Sequence, residues 1–240
     1  YSKVCEQFKS LDFIFKFQYR DLETFIRKDM KERHDIPLIK RFADTKLNHQ
    51  ELLGLINHAT NKGFKTMVTP FDEASVELAV SHGVDYLKIA SCSFGDWPLL
   101  EKLSKTKKEI VASCAGAEEC TISNVVSFFQ NRDIKLRLQH CVGEYPTEDY
   151  KLNVAQVKYL KSKYPGIEIG FSSHESPDST VIAPLALAAG ATSFEKHVAL
   201  ETSDIKKNAY STSPEEFHHW LIALVKAIEI LGVHNARYQP

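Results

Sequence analysis

Seven short apolar runs, each parted from the next by an amphipathic segment, constrain this chain more than any other feature. They are "DFIFKFQ" at 12–18, "TMVTPF" at 66–71, "YLKIAS" at 86–91, "EIVASCA" at 109–115, "KLRLQHC" at 135–141, "EIGFSSH" at 168–174 and "TSFEKHV" at 192–198. Their length and their β-branched and aromatic content mark buried strands. The segments between them, such as "NHQELLGLINHATNKG", "EASVELAVSHG" and "DSTVIAPLALAAG", carry apolar residues at helical spacing, and several close on a glycine suited to a helix C-terminus. Strand and helix alternating about every 20 to 30 residues predict an α/β fold with a parallel sheet and crossover helices, either open and doubly wound or closed as a barrel.

Neither G-x-G-x-x-G nor G-x-x-x-x-G-K-[ST] occurs, which argues against an open nucleotide-binding sheet. Polar residues instead collect at the C-terminal strand ends: Thr69, Ser91, Ser113, His140, His174 and His197. A (β/α)8 barrel builds its active site on that face. We therefore expect a (β/α)8 TIM barrel, a single domain spanning residues 1–240. Only seven strands are legible, and the opening "YSKVCEQFKS" reads as the tail of a first helix whose strand is missing from this chain. The strands at 12–18 and 192–198 then become edges. The segment "SPEEFHHWLIALVKAIEILG", with Ser213 at the N-cap, Pro214 next and acidic residues in its first turn, reads as the eighth helix. Residues 20–35, "RDLETFIRKDMKERHD", read as a charged excursion after the first visible strand.

Composition narrows the partners. Thirty basic residues against 31 acidic leave a formal charge of -1, too little for a cationic field suited to nucleic acid or an anionic membrane surface. Small molecules are the expected partners. No run approaches the roughly 20 apolar residues of a membrane-spanning helix. The five cysteines are odd in number and form no C-x-x-C pair, as expected for reduced thiols in a cytoplasmic protein. Cys92, Cys114 and Cys141 fall near strand ends and read as inert packing.

Within "SFEKHV", strand alternation puts Glu195 and His197 on one face and Phe194, Lys196 and Val198 on the other. His174 ends one strand and His197 the next, about 5 Å apart across a sheet. With Glu195 close by, the pair favours a shared metal ion over two separate hydrogen-bonded strand ends. Lys16 and Lys88 lie inside apolar strands, where an unpaired ammonium is costly. Three readings stay open for them. They could surround a substrate phosphate together with Ser91, Ser113 and Ser172; one of them could form a Schiff base; or they could pair structurally with Glu195 or another inward carboxylate. Tyr145, in "HCVGEYPT", is either a substrate contact or a ring packed over the barrel mouth.

In order and spacing, "FKFQ", "YLKIAS", "HCVGEYPT", "IGFSSHE", "AAGATSFEKHV" and "SPEEF" resemble the sialic acid synthase family, from about residue 12 to 232. The resemblance implies a metal-dependent condensation of phosphoenolpyruvate (PEP) with an amino-sugar aldehyde on a (β/α)8 barrel. It implies a PEP pocket from Lys16, Lys88, Ser91, Ser113 and Ser172 with Thr69 close by, and a divalent ion, Mn2+ or Mg2+, on His174 and His197. It further implies Glu195 beside the reacting carbons, Tyr145 at the sugar, catalytic roles for Lys16, Lys88 and Glu195, and a homodimer. Where the family reads S-G-E, S-T-G and S-D-H, this chain has "SCS", "SCA" and "SSH", so carboxylates are replaced at Ser93 and Ser173. A family asparagine is Gly143, and the family's G-P-D-H loop is "SDIKKNAYS" here. The family's first strand, with its glutamate, and its C-terminal antifreeze-like domain are not seen in this sequence. The expected activity is PEP condensation with an aldehyde other than N-acetylmannosamine; a Schiff-base aldolase and a silent sugar- or PEP-binding barrel are the alternatives.

Overall fold

All seven expected strands form, and each pairs in parallel with the next. They are β1 (Ile14–Tyr19), β2 (Lys65–Pro70), β3 (Tyr86–Ile89), β4 (Glu109–Ser113), β5 (Leu136–Cys141), β6 (Glu168–Ser173) and β7 (Ser193–Lys196), in one sheet ordered β1 to β7. The structure, a computed structural model, describes residues 1–232; residues 233–240, which the single-domain reading takes in, lie outside the described residues.

The helices follow the amphipathic segments: α4 (His49–Asn61), α5 (Glu73–Ser81), α6 (Trp97–Lys105), α7 (Glu119–Gln130), α8 (Ala155–Lys163) and α9 (Ile182–Ala188) cross between strands, and α10 (Pro214–Leu231) follows the last strand. Three more precede them: α1 (Ser2–Cys5), α2 (Leu22–Phe25) and α3 (Pro37–Asp44). Local chemistry explains the boundaries. Asn48 and Ser213 each close a capping box, with Glu51 and Glu216, and Pro214 occupies the first position of α10, where a missing N–H loses nothing. The charged excursion holds α2 and a 3-10 turn, but its principal helix, α3, starts at Pro37, beyond the segment expected from sequence.

The strands present mainly apolar residues to the helices and turn most of their polar ones to the opposite face. Leu87 and Ile89 are fully buried in a core that also takes in Leu100, Phe129 and Phe171, while Lys88 between them turns the other way. A second apolar cluster of Ala183, Trp220, Leu221 and Leu224 receives Val4, Phe8, Leu11 and Phe13 from the opening segment. The opening therefore docks on α10, and the Tyr1 hydroxyl contributes a hydrogen bond to the Ala199 carbonyl at 2.8 Å.

The sheet is strongly curled. Laid flat, six strand intervals of about 4.8 Å would separate β1 from β7 by about 29 Å. Instead Lys16 Nζ on β1 lies 2.7 Å from Glu195 Oε1 on β7. Among the described residues no backbone ladder joins those two strands. At the N-terminal end of the curl, Arg137 contacts Glu109 and, at 3.2 Å, Glu168, giving the interior a charged floor. Gly170 allows β6 and β7 to close up, since a Cβ there would lie 2.8 Å from the Ser193 carbonyl oxygen and closer still to its hydroxyl. Among the described residues no helix is long and apolar enough to cross a membrane.

Candidate active site

The inward faces of β1, β3, β4, β5, β6 and β7 bring their polar residues to one point. Lys88 Nζ donates to Ser113 Oγ and Gln139 Oε1, both at 2.7 Å, and to Glu195 Oε2 at 3.0 Å. Glu195 also meets Lys16 at 2.7 Å and accepts from Ser172 Oγ at 3.0 Å. One carboxylate thus holds two ammonium groups. The Lys88 side chain is only 2% exposed, so this is a desolvated cluster rather than a surface ion pair.

Charge follows from that geometry. Burial alone would raise the pKa of Glu195, but Lys16 and Lys88 more than offset it and hold the carboxyl well below the usual range, ionised. Burial pushes Lys88 down from 10.5 to about 8, against the attraction of Glu195 and with the repulsion of Lys16. The two partners shift in the same direction for different reasons: Glu195 has two cations to itself, whereas Lys88, the more deeply buried of those cations, has only a share of one carboxylate. As an ammonium Lys88 has spent all three N–H donors on Ser113, Gln139 and Glu195. It has no free lone pair, which disfavours the Schiff-base reading. The ion-pair reading describes both lysines in the structure.

Above this cluster, just past β6 and β7, stand the two histidines. Their ring centres are 5.2 Å apart. Because the Val142 carbonyl can only accept, His174 Nδ1 is the protonated nitrogen in their 3.0 Å bond, and Nε2 is left with a lone pair. Burial pushes His174 down, and burial followed by repulsion from Lys16 and His174 pushes His197 down to about 4. Both imidazoles are neutral near pH 7. Tyr145 packs 4.1 Å from His174, centre to centre, and Tyr210 lies 5.1 Å from His197. The tyrosine is thus a ring over the mouth that also lines the route to the histidines.

Other expected members stand further back. Ser91 Oγ accepts from the Ala115 amide at 3.3 Å rather than from Lys88. Thr69 is buried, and its hydroxyl has no partner. Among the described residues no three His, Cys, Asp or Glu side chains converge as a metal-ligand set, since Glu195 is committed to the lysines. Cys114 fits its packing role: it is buried, with its thiol pushed up to about 11 by burial. Cys141 is buried too, and burial raises its thiol. Cys92 is exposed, so the packing reading fails there: it lies in the short turn that leaves β3 rather than under a helix.

Sequence reasoning missed three residues. Gln139 hides in an apolar run, where only its two-residue spacing from Arg137 and Cys141 on β5 could have signalled an inward amide; in the structure it bridges Lys88 and Ser113. Lys196 and Glu175 form a second buried pair at 2.7 Å on the outer face, with side chains 1% and 0% exposed. Neither oxygen of Glu175 makes an aligned hydrogen bond, so the contact is electrostatic. Alternation did place Lys196 opposite Glu195, but its partner is separated by 21 residues.

A family model described as "NeuB family" matches residues 10–236. The chain belongs to the NeuB family. Among solved structures, this NeuB-family chain is similar to a putative spore coat polysaccharide biosynthesis protein E from Chromobacterium violaceum, at 45% identity and a TM-score of 0.97, covering 100% of this chain and 71% of that one. It is also similar to the N-acetylneuraminate-9-phosphate synthase of Drosophila melanogaster, 26% identical over 94% of this chain and 61% of that protein. The N,N'-diacetyllegionaminic acid synthase of Campylobacter jejuni is 31% identical over 64% of this chain and 45% of its own length. The chain spans about three-fifths of the length of the curated relatives that it matches most fully.

Proposed function

We propose that this NeuB-family protein condenses PEP with an amino-sugar-type aldehyde to give a nonulosonic, sialic-acid-like acid and phosphate, its seven β/α units forming part of a (β/α)8 barrel. The convergence of Lys16 and Lys88 on Glu195 carries the reading, because it stores two cations where a dianion would be received. Arrival of PEP replaces one carboxylate by a phosphate and a carboxylate, with Ser113 and Ser172 as further donors and Ser91 and Thr69 at the margin. Relatives named as N-acetylneuraminate-9-phosphate and N,N'-diacetyllegionaminic acid synthases support the substrate class.

Carbon 3 of PEP attacks the aldehyde carbon, water adds at carbon 2, and phosphate leaves with cleavage of its C–O bond. Glu195, released from the lysines by the incoming anion, takes a proton from the attacking water and passes one on to the new alkoxide or the departing phosphate. Tyr145 shields the mouth over the sugar. The histidines suit a divalent ion, since both are neutral and His174 Nε2 is free. Mn2+ or Mg2+ held by His174 and His197 would polarise the aldehyde as a Lewis acid.

Ser93 and Gly143 point to an aldehyde other than N-acetylmannosamine; Ser173 drops out of that argument, because it is in register with Lys196 and shares its outer face. Calorimetry with PEP, and phosphate release over a panel of amino-sugar aldehydes, test both statements. We expect PEP to bind and N-acetylmannosamine to be a poor substrate. No PEP binding would sink the condensation, and N-acetylmannosamine as the best substrate would sink the specificity argument.

A further inference from the structure

Arg20 follows β1 directly, and its guanidinium carbon lies 3.8 Å from the ring centre of Phe71, 4.8 Å from Phe42 and 5.7 Å from Phe25. Those rings belong to the residue after β2, to α3 and to α2, so the excursion after β1 folds over this one cation. The other cations inside the curled sheet have counter-charges: Lys16 and Lys88 share Glu195, and Arg137 has Glu109 and Glu168. Arg20 has none within ion-pair distance among the described residues. Its Nη2 donates to Gln18 Oε1 at 3.0 Å, and its Nε is buried with no partner. Asp72, an acid that attracts it, is already accepting from the Asp21 amide and from Ser75.

Neighbouring groups point the same way. Gln18 is in register with Thr69, whose hydroxyl is buried and unpartnered. A guanidinium, an amide and a hydroxyl therefore stand together at the C-terminal ends of β1 and β2. Arg20 is four residues beyond Lys16, about 13 Å along an extended strand, and so stands nearer the C-terminal end of the curl than the cluster on Glu195. The Lys16–Glu195 contact links β1 to β7 across the interior, and His197 follows β7 at the same C-terminal end of the sheet.

We propose that Arg20 seats an anionic group, phosphate or carboxylate, on the second substrate, so that the aldehyde used by this protein is an acidic sugar derivative. The assignment rests on the proposed condensation for the word substrate, but its test does not depend on turnover. Calorimetry would titrate the protein with N-acetylmannosamine, a phosphorylated N-acetylmannosamine and a hexuronic acid, and separately with PEP. A charge-assisted contact predicts that one anionic sugar binds roughly tenfold tighter than the neutral one, and which of them gains identifies the anion. Arg20→Met should erase the difference and Arg20→Lys retain part of it, with PEP affinity unchanged in both. Phe71→Leu, which loosens the cage and keeps the charge, should shrink the difference and serves as the deciding variant if Arg20→Met fails to fold. Equal affinities for neutral and anionic sugars in the unaltered protein, or loss of PEP binding in Arg20→Met, would overturn the assignment. Failure of the unaltered protein to bind PEP would remove the condensation while leaving the sugar comparison decisive for Arg20.

Discussion

Glu195→Gln keeps the shape of the side chain and removes the one charge that Lys16 and Lys88 share. Removing one partner from a buried ion pair costs about 3 to 5 kcal/mol. Two features hold this case near the lower figure. Lys16 is 20% exposed and recovers hydration. Lys88, already pushed down to about 8 by burial and held up by Glu195, falls further without it and sheds its proton near neutral pH. A loss of about 3 kcal/mol lowers the melting temperature of a chain this size by about 6 to 12 °C. Differential scanning fluorimetry at pH 7, with and without PEP, measures it. PEP supplies the missing negative charge, so its stabilising shift should be larger in Glu195→Gln than in the unaltered protein. The pH dependence has a definite sign. Lys88 is lowered from 10.5 in the unfolded chain to about 8 in the folded one, so the unfolded state holds the extra proton between those values. Stability should rise as pH climbs through that window, and in Glu195→Gln the rise should begin at lower pH. A melting temperature within about 2 °C of the unaltered protein, with an equal PEP shift, would refute the view of Glu195 as the shared counter-charge.

Lys88→Ala should abolish PEP binding and spare Mn2+ binding, while His197→Ala should do the reverse; calorimetry with PEP and electron paramagnetic resonance with Mn2+ read the two separately. Glu175→Ala leaves Lys196 unpaired where its side chain is 1% exposed, and should cost about 3 to 5 kcal/mol in urea unfolding, most of it recovered when both residues become apolar. Gly170→Ala drives a methyl group to 2.8 Å from the Ser193 carbonyl oxygen and should destabilise by about 1 to 3 kcal/mol in the same assay through forced separation of β6 and β7.

Periodicity made the sheet legible because each strand is buried on its helical side and therefore has to be apolar there. The same burial exposed Lys16 and Lys88, since an ammonium amid Phe15, Phe17, Leu87 and Ile89 demands a partner. Which partner it has was not legible: Glu195 lies 107 residues from Lys88, and only curling of the sheet brings them together. Gln139, an ordinary amide in sequence, acquires its role from register with Ser113. The histidine pair was visible from strand ends alone, whereas the neutral state of both rings depends on burial and on Lys16, which no local pattern carries. Arg20 escaped notice because its three aromatic neighbours belong to separate segments.

The curl of the sheet leaves a seam between β1 and β7, and the bond that crosses it belongs to the site itself. Occupancy and mechanical closure are consequently in competition. Any anion that draws Lys16 away from Glu195 removes that ion pair at the moment it fills the interior and leaves the packing of the opening segment on α10 to hold the seam, so the edge strands should breathe most while the site is exchanging its contents. Amide exchange along β1 and β7 would register this motion as a loosening that vanishes once a bound ligand supplies its own bridge.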